Sequence, residues 1–160
     1  MANNKKVIIP IVFILALVTV AWFFRASPRV ASIPKGGSAQ ITIGDAAYSI
    51  EIAETMASQI QGLSSRDSLA QGHGMLFIFQ DSAPRSFWMY QMKFPLDIIW
   101  INENKVIGFA QDVPPPVGGP ANFMPPTVNS PGPADMVFEV PAGTVANDGI
   151  VEGAEVQVLR

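Results

Sequence analysis

Two carboxylates lie within strongly apolar stretches of this sequence, and they are the side chains best placed to do chemistry. Asp97 falls in one predicted buried strand and Glu139 in another. A carboxyl group in apolar surroundings must be paired, hydrogen-bonded or protonated, so each predicts either a structural anchor or part of a site. A guanidinium can bind a carboxylate through two parallel hydrogen bonds, which makes Arg66 the first candidate counter-ion and Arg85 the second.

Large apolar and aromatic side chains surround these charges. The aromatic cluster, which is mostly expected in the core, comprises Phe77, Phe79, Phe87, Trp88 and Trp100. Trp88 is the member that we assign to a binding surface, because an indole can stack on a sugar or another flat ligand. The resulting ligand-binding hypothesis comprises Arg66, Trp88, Met89, Asp97 and Glu139.

Three other interpretations of these residues stay open. The charges can form a structural salt bridge that fixes the sheet. Asp97 and Glu139 can act as the general acid and base of a small hydrolase, provided that their environments separate their pKa values. His73, Met75, Met89 and Met92 are soft or borderline ligands of the kind that Cu(I) prefers.

Several chemistries find no support in the sequence. The chain has no cysteine, which excludes disulfides, thiolate metal sites and a cysteine nucleophile. It also contains no phosphate-binding loop, dinucleotide fingerprint or serine nucleophile elbow. We therefore predict no catalytic residue, no metal and no cofactor, and we favour a non-enzymatic role.

The N-terminal region predicts a membrane anchor. Residues 7–24 carry no charge and, as a helix, span about 27 Å, close to the thickness of a bilayer core. Residues 1–6, with two lysines, are expected to remain cytoplasmic, and residues 25–37 to form a tether. A cleaved signal peptide, which would give a secreted protein, is the alternative. The predicted location is thus the cell membrane, with a single span and an extracytoplasmic C-terminal domain.

Charge is unevenly distributed along the chain. From Gly36 to Arg160 there are five basic and thirteen acidic residues, so this part carries a net charge of −8. An acidic domain repels phosphate backbones, so we predict no nucleic-acid partner. The lipid bilayer is the expected partner of the N-terminal helix, and a small molecule, a glycan or an envelope protein is the expected partner of the domain.

Short strands dominate the predicted domain, residues 38–160. Alternating apolar and polar residues predict a hairpin around Gly44-Asp45, and Thr55 is a candidate cap for a helix through Leu63. A further helical turn is predicted at Asp67–Leu69. The remaining predicted strands are Met75–Phe79, Ser86–Met89, Leu96–Ile101, Val106–Ala110, Met136–Val140 and Glu155–Leu159.

Residues 112–133 differ from the rest of the domain. Eight of these 22 residues are prolines, and three are glycines. Proline lacks the N–H group that strands and helices require, so we predict an irregular surface loop here.

Five sequence blocks in order resemble the DUF192 family, also called UPF0127. They are Gln61–Leu69, Gly74–Phe77, Phe87–Met89, Pro95–Ile99 and Phe138–Gly143. The resemblance implies a small exported or membrane-anchored prokaryotic protein with a compact, mainly antiparallel β domain. Together with the segments above, we predict a mainly β fold with one or two short helices and a compact antiparallel, barrel-like sheet. The resemblance implies no activity, because none is assigned to the family. The chain departs from the family at Tyr90-Gln91-Met92, where members commonly read Lys-Asn-Thr.

Overall fold

Seven strands form one curled sheet in the computed structural model, which describes residues 39–117 and 125–160. The strands are β1 (Gln40–Ile43), β2 (Ala46–Ala53), β3 (His73–Trp88), β4 (Leu96–Asn102), β5 (Lys105–Val113), β6 (Thr127–Pro141) and β7 (Val156–Leu159). Two short helices, α1 (Met56–Gln61) and α2 (Thr144–Asn147), connect them. The predicted mainly β fold with short helices is confirmed.

The strand order is β5-β4-β6-β3-β2-β1-β7. All neighbouring strands are antiparallel except β2 and β3, which run parallel, so the sheet is not wholly antiparallel. The two outer strands approach each other at one end, where Lys105 and Glu155 form an isolated bridge. The backbone N–H of Val106 there donates to the carbonyl of Ala154 at 3.0 Å. The sheet is therefore a half-barrel.

The two faces of the sheet carry two separate cores. The inner core draws buried residues from all seven strands, as the inside of a curled sheet must, and includes Ile41, Tyr48, Leu76, Ile99, Phe138 and Val156. The outer core is covered by the segments that follow α1 and β3, and includes Leu63, Met75, Phe77, Met89, Met92 and Ile98. Side chains alternate between the faces along each strand, so neighbouring residues belong to different cores.

Local predictions at the start of the domain are largely confirmed. Ile43 pairs with Ala46 across the predicted hairpin turn. The hydroxyl of Thr55 accepts a hydrogen bond from the backbone N–H of Ser58 at 3.1 Å, which completes a capping box with the Ser58 side chain. The helix ends at Gln61, two residues earlier than predicted, because Gly62 leaves helical geometry with φ +49°. The helical turn predicted at residues 67–69 is wrong, since these residues are not helical.

Three strands are longer than the sequence suggested. The runs predicted at Met75–Phe79 and Ser86–Met89 merge into one strand, β3, which continues through Pro84 and ends at Trp88. The irregular loop predicted at residues 112–133 is wrong at its ends, because β5 reaches Val113 and β6 begins at Thr127. The β3–β6 pairing shifts register around Pro84, where the ladder is interrupted and prolines are tolerated.

The predicted head, membrane helix and tether, residues 1–37, lie outside the described residues. Within the ranges given above, neither helix is long and apolar enough to span a bilayer.

Candidate functional site

The carboxylate of Asp97 is fully buried and is held by two backbone donors. Its Oδ1 accepts a hydrogen bond from the N–H of Asp112 at 2.8 Å, and its Oδ2 accepts one from the N–H of Val145 at 2.8 Å. Val145 lies in the first turn of α2, whose N-cap residue, Gly143, has no side chain to cap the helix. Asp97 therefore supplies the missing cap and fastens β4 to β5 and α2.

The predicted pairing of Arg66 with Asp97 or Glu139 is wrong. Arg66 binds both carboxylate oxygens of Glu51 on the surface, with Nη2 donating to Oε2 at 2.9 Å. This ion pair raises the pKa of Arg66 and lowers the pKa of Glu51. The second candidate, Arg85, is paired with Asp81 at 2.8 Å. The sequence could not distinguish these partners, because each pairing depends on which strands become neighbours.

Asp97 and Glu139 lie on opposite faces of the sheet. In the β4–β6 ladder, Asp97 is paired with Val140 and Glu139 with Ile98, and directly paired residues share a face. Because Asp97 and Ile98 are consecutive, their side chains point to opposite sides. The two carboxyl groups cannot act on one bond, so the hydrolase that uses both of them is excluded.

The carboxyl group of Glu139 is buried without a partner. The side chain is 6% exposed, and within the described residues it makes no hydrogen bond or ion pair. Met75 from β3 and Ile98 from β4 flank it in the ladder, and neither offers a polar side chain. Burial raises the pKa of Glu139 to about 8. At pH 7 the group is therefore mostly neutral and can both donate and accept a hydrogen bond.

An exposed apolar depression, which we call the α1–β3 groove, lies between helix α1 and the second half of β3. Met56 and Ile60 from the helix and Phe79, Phe87 and Trp88 from the strand line it, and its volume is about 230 Å³. The side-chain amide of Gln59 donates to the carbonyl of Ile78 at 2.8 Å and fixes the helix beside the strand. Met56, Ile60 and Trp88 are 79%, 66% and 55% exposed, which is unusual for residues of this size.

A smaller inner pocket adjoins the groove and contains Glu139. Its volume is about 30 Å³, and Ile60, Phe87 and Trp88 line both spaces. Ser64 and Met92 complete its wall beside the carboxyl group. The two spaces therefore share an apolar wall, and Glu139, which has no hydrogen-bond partner among the described residues, lines the inner pocket.

Of the five residues in the binding hypothesis, the structure brings only Trp88 and Glu139 together. Trp88 stacks on Tyr90, with the ring centroids 5.2 Å apart. Met89 is 1% exposed and belongs to the outer core, so its side chain does not reach the surface. Arg66 and Asp97 are engaged elsewhere, as described above.

Nothing in the structure favours the Cu(I) interpretation. Met75, Met89 and Met92 are buried together in the outer core, whereas His73 is exposed at the start of β3. In the part of the chain that the structure describes, no three His, Cys, Asp or Glu residues are grouped so that they could hold a metal ion.

Sequence reasoning missed the groove because it treated α1 as an ordinary amphipathic helix. Met56, Ile60 and Leu63 follow helical spacing, but only Leu63 is buried. The helix has six residues, and none of them is buried. Helical spacing identifies which residues share a face, but it does not show whether anything covers that face.

Comparison with known proteins identifies one family. The DUF192 family model, described as an uncharacterized group, matches residues 39–158. No curated protein matches the chain. A crystal structure of a protein of unknown function from Novosphingobium aromaticivorans is similar, with 28% identity and a TM-score of 0.67, and covers 79% of this chain and 91% of that protein.

A second crystal structure, from Sinorhizobium meliloti, is described as a "putative transcription regulator". It has 24% identity and a TM-score of 0.66, and the match covers 76% of this chain and 93% of that protein. At this identity the likeness shows a shared fold alone.

Proposed function

The chain belongs to the DUF192 family, and we propose that its β domain is a non-enzymatic binding module whose site is the α1–β3 groove. The ligand is a small molecule with an apolar body and one polar group. The body covers Met56, Ile60 and Trp88, and the polar group enters the inner pocket.

The observation that carries this proposal is the unpartnered carboxyl group of Glu139 at the inner end of an exposed apolar groove. The carboxyl group of Glu139 accepts no hydrogen bond from the described residues and lines the inner pocket, so a ligand in that pocket can supply its partner. Ligand sites typically combine an apolar lining with few polar groups, which is the composition here.

The domain is further proposed to act outside the cytoplasm, tethered by residues 7–24. The uncharged run supports an anchor, and the two lysines before it support the orientation. Cell fractionation with a C-terminal epitope tag tests this proposal. We expect the full-length protein to remain in the membrane after carbonate washing, with the tag accessible to external protease. A shortened protein in the soluble exported fraction would instead support signal cleavage.

A thermal-shift screen of the purified chain tests the binding role. The screen covers small apolar amines, amides, alcohols and carboxylates, together with glycans and Cu(I), because a ligand that binds only the folded state raises its melting temperature. We expect at least one apolar compound with a single polar group to raise the melting temperature of the wild type.

Two matched variants locate the binding. Ile60→Ser removes an apolar wall of the groove, whereas Val151→Ser changes an equally exposed side chain, 61% against 66%, that does not line the groove. The shift should be lost in the first variant and kept in the second. Equal loss in both variants, or no shift with any compound, would contradict the proposal.

A protein partner is the second candidate, and an open strand edge favours it. Beyond Phe77, no described strand pairs with β3 on the side where β2 lies. An extended segment of another protein can add to such an edge through backbone hydrogen bonds. Ser86→Pro would disrupt that contact, whereas Glu139→Gln would leave it intact and weaken only small-molecule binding in the inner pocket.

A further inference from the structure

We infer that the ligand of the α1–β3 groove is a small organic cation, with its ammonium group in the inner pocket against Glu139 and its apolar body along Ile60, Phe87 and Trp88. This inference rests on the binding function proposed above and specifies the class of ligand.

The size of the inner pocket limits the polar group. A space of about 30 Å³ accommodates one group about the size of a water molecule. A primary ammonium fits this limit, whereas a sugar ring or a quaternary ammonium does not. The groove outside it, at about 230 Å³, is smaller than the roughly 300–1,000 Å³ typical of drug-sized ligands. The apolar body is therefore a short chain or a single small ring.

The charges around the pocket favour a cation. Glu139 is the only ionisable residue among those that line the groove and the inner pocket. Buried carboxylates are stabilised when a hydrogen-bonded positive charge pairs with them, and no residue of the pocket provides one. The charge of −8 between Gly36 and Arg160 attracts cations and repels anions.

The aromatic residues support the same assignment. The ring of Trp88, which is 55% exposed, lines both spaces, and an indole face attracts a cation that approaches it. Arg85 lies 3.9 Å from the ring centre of Phe79 at the groove, but Asp81 pairs with it. The groove thus presents aromatic faces and one carboxyl group without an unpaired cation of its own.

The neighbours of Glu139 determine the pH dependence of this binding. No titratable group lies on the residues that surround the Glu139 carboxyl group. These residues are Met75 from β3, Ile98 from β4, Leu63 and Ser64 after α1, and Met92 after β3. Because burial raises the pKa of Glu139 to about 8, an ammonium that binds below pH 8 displaces a proton. Its affinity should rise about tenfold per pH unit up to about pH 8 and then level off. A neutral acceptor would behave in the opposite way, with constant affinity below pH 8 and loss above it.

The test is titration calorimetry of the full-length chain in phosphatidylcholine nanodiscs with hexylamine and hexanamide. We expect hexylamine to bind, with the dissociation constant falling about fiftyfold from pH 6 to pH 8 and with about one proton released at pH 6.5. Glu139→Gln should weaken hexylamine binding at least tenfold at pH 8 and abolish its pH dependence. Glu155→Gln changes an exposed carboxylate outside the groove. This control variant should keep both the affinity for hexylamine and its pH dependence.

The outcomes separate this inference from the binding function. One outcome is that hexanamide binds the wild type but not Ile60→Ser, while hexylamine does not bind at all. In that case the groove is a binding site but the cation assignment is wrong. If neither compound binds the wild type at any pH, and no other apolar compound shifts its melting temperature, the binding function itself is wrong. Proton release is measured on the wild type, so the test does not depend on the folding of Glu139→Gln.

Discussion

Asp97 and Glu139 are two buried carboxyl groups on adjacent strands, yet the structure treats them in opposite ways. Asp97 faces the inner core and accepts two backbone hydrogen bonds of 2.8 Å. Glu139 faces the outer core, has no partner, and lines a pocket that opens to a groove. The comparison teaches that burial alone does not identify a functional carboxylate. A group whose acceptor capacity is used by the backbone holds the fold, whereas a group that is left unsatisfied beside a cavity is available to a ligand.

The largest effect expected from this comparison is a stability that depends on Glu139 and pH. Its pKa is raised from 4.5 to about 8 in the folded protein, so the folded state binds the proton more tightly than the unfolded state. The stabilisation is complete below about pH 4.5 and is lost as pH rises through 8. The resulting change in the free energy of unfolding is on the order of 5 kcal/mol.

Denaturant unfolding at pH 5, 7 and 8.5 measures this effect. We expect the free energy of unfolding of the wild type to fall over this range, and that of Glu139→Gln to vary much less. At pH 8.5 the variant should be the more stable protein, because it has no buried charge. Equal pH profiles for the two proteins would show that Glu139 finds a partner that the structure does not contain.

The second effect is expected at Asp97 and has the opposite sign. An asparagine at this position keeps one acceptor oxygen but directs an NH2 group toward the other backbone N–H. Asp97→Asn should therefore lower the free energy of unfolding by about 3 kcal/mol, which corresponds to a melting temperature lower by roughly 10 °C.

Circular dichroism melting of Asp97→Asn and wild type at pH 8.5 measures this loss, and Glu139→Gln in the same experiment completes the comparison. At this pH Asp97→Asn should destabilise the protein, whereas Glu139→Gln should stabilise it. An unchanged melting temperature for Asp97→Asn would mean that the N–H groups of Asp112 and Val145 are satisfied in another way.

The smallest effect is expected at the surface pair of Glu51 and Arg66. These side chains are 57% and 35% exposed, and water and salt screen their attraction. Glu51→Gln should reduce the free energy of unfolding by less than about 1 kcal/mol, and less still at high salt. Denaturant titration measures this change. If Glu51→Gln lowers the free energy of unfolding by about 3 kcal/mol, as expected for Asp97→Asn, the surface ion pair stabilises the fold as much as the buried hydrogen bonds of Asp97.

Much of the local structure could be predicted from single segments. Thr55 and Ser58 are close enough in sequence to cap α1 without help, and Gly44-Asp45 between alternating residues predicts the hairpin. Pro131 and Pro133 were predicted to lie in a loop, but both lie in β6. A proline is incompatible with a strand only at positions where its backbone N–H would have to donate to the neighbouring strand. The shifted register of β3 against β6 removes that need, and it depends on residues about 50 positions apart.

The candidate site was predictable in composition but not in arrangement. Trp88 and Glu139 could be selected because each is chemically unusual for its surroundings, an aromatic expected at the surface and a carboxyl group within an apolar strand. Arg66 was selected for the same reason and was assigned the wrong partner. Ile60 was not selected, because an isoleucine at helical spacing normally packs into a core.

By itself, the sequence determined the mainly β fold, the capped helix and the burial of two carboxyl groups. These depend on residue type and on spacing over a few positions, which local sterics and the alternation of side chains translate directly into structure. Only the tertiary structure decided that Asp97 caps α2, that Arg66 binds Glu51, and that Glu139 is left beside an open groove. Pairing and exposure are properties of the strand order and register, which bring together residues that are distant in the chain.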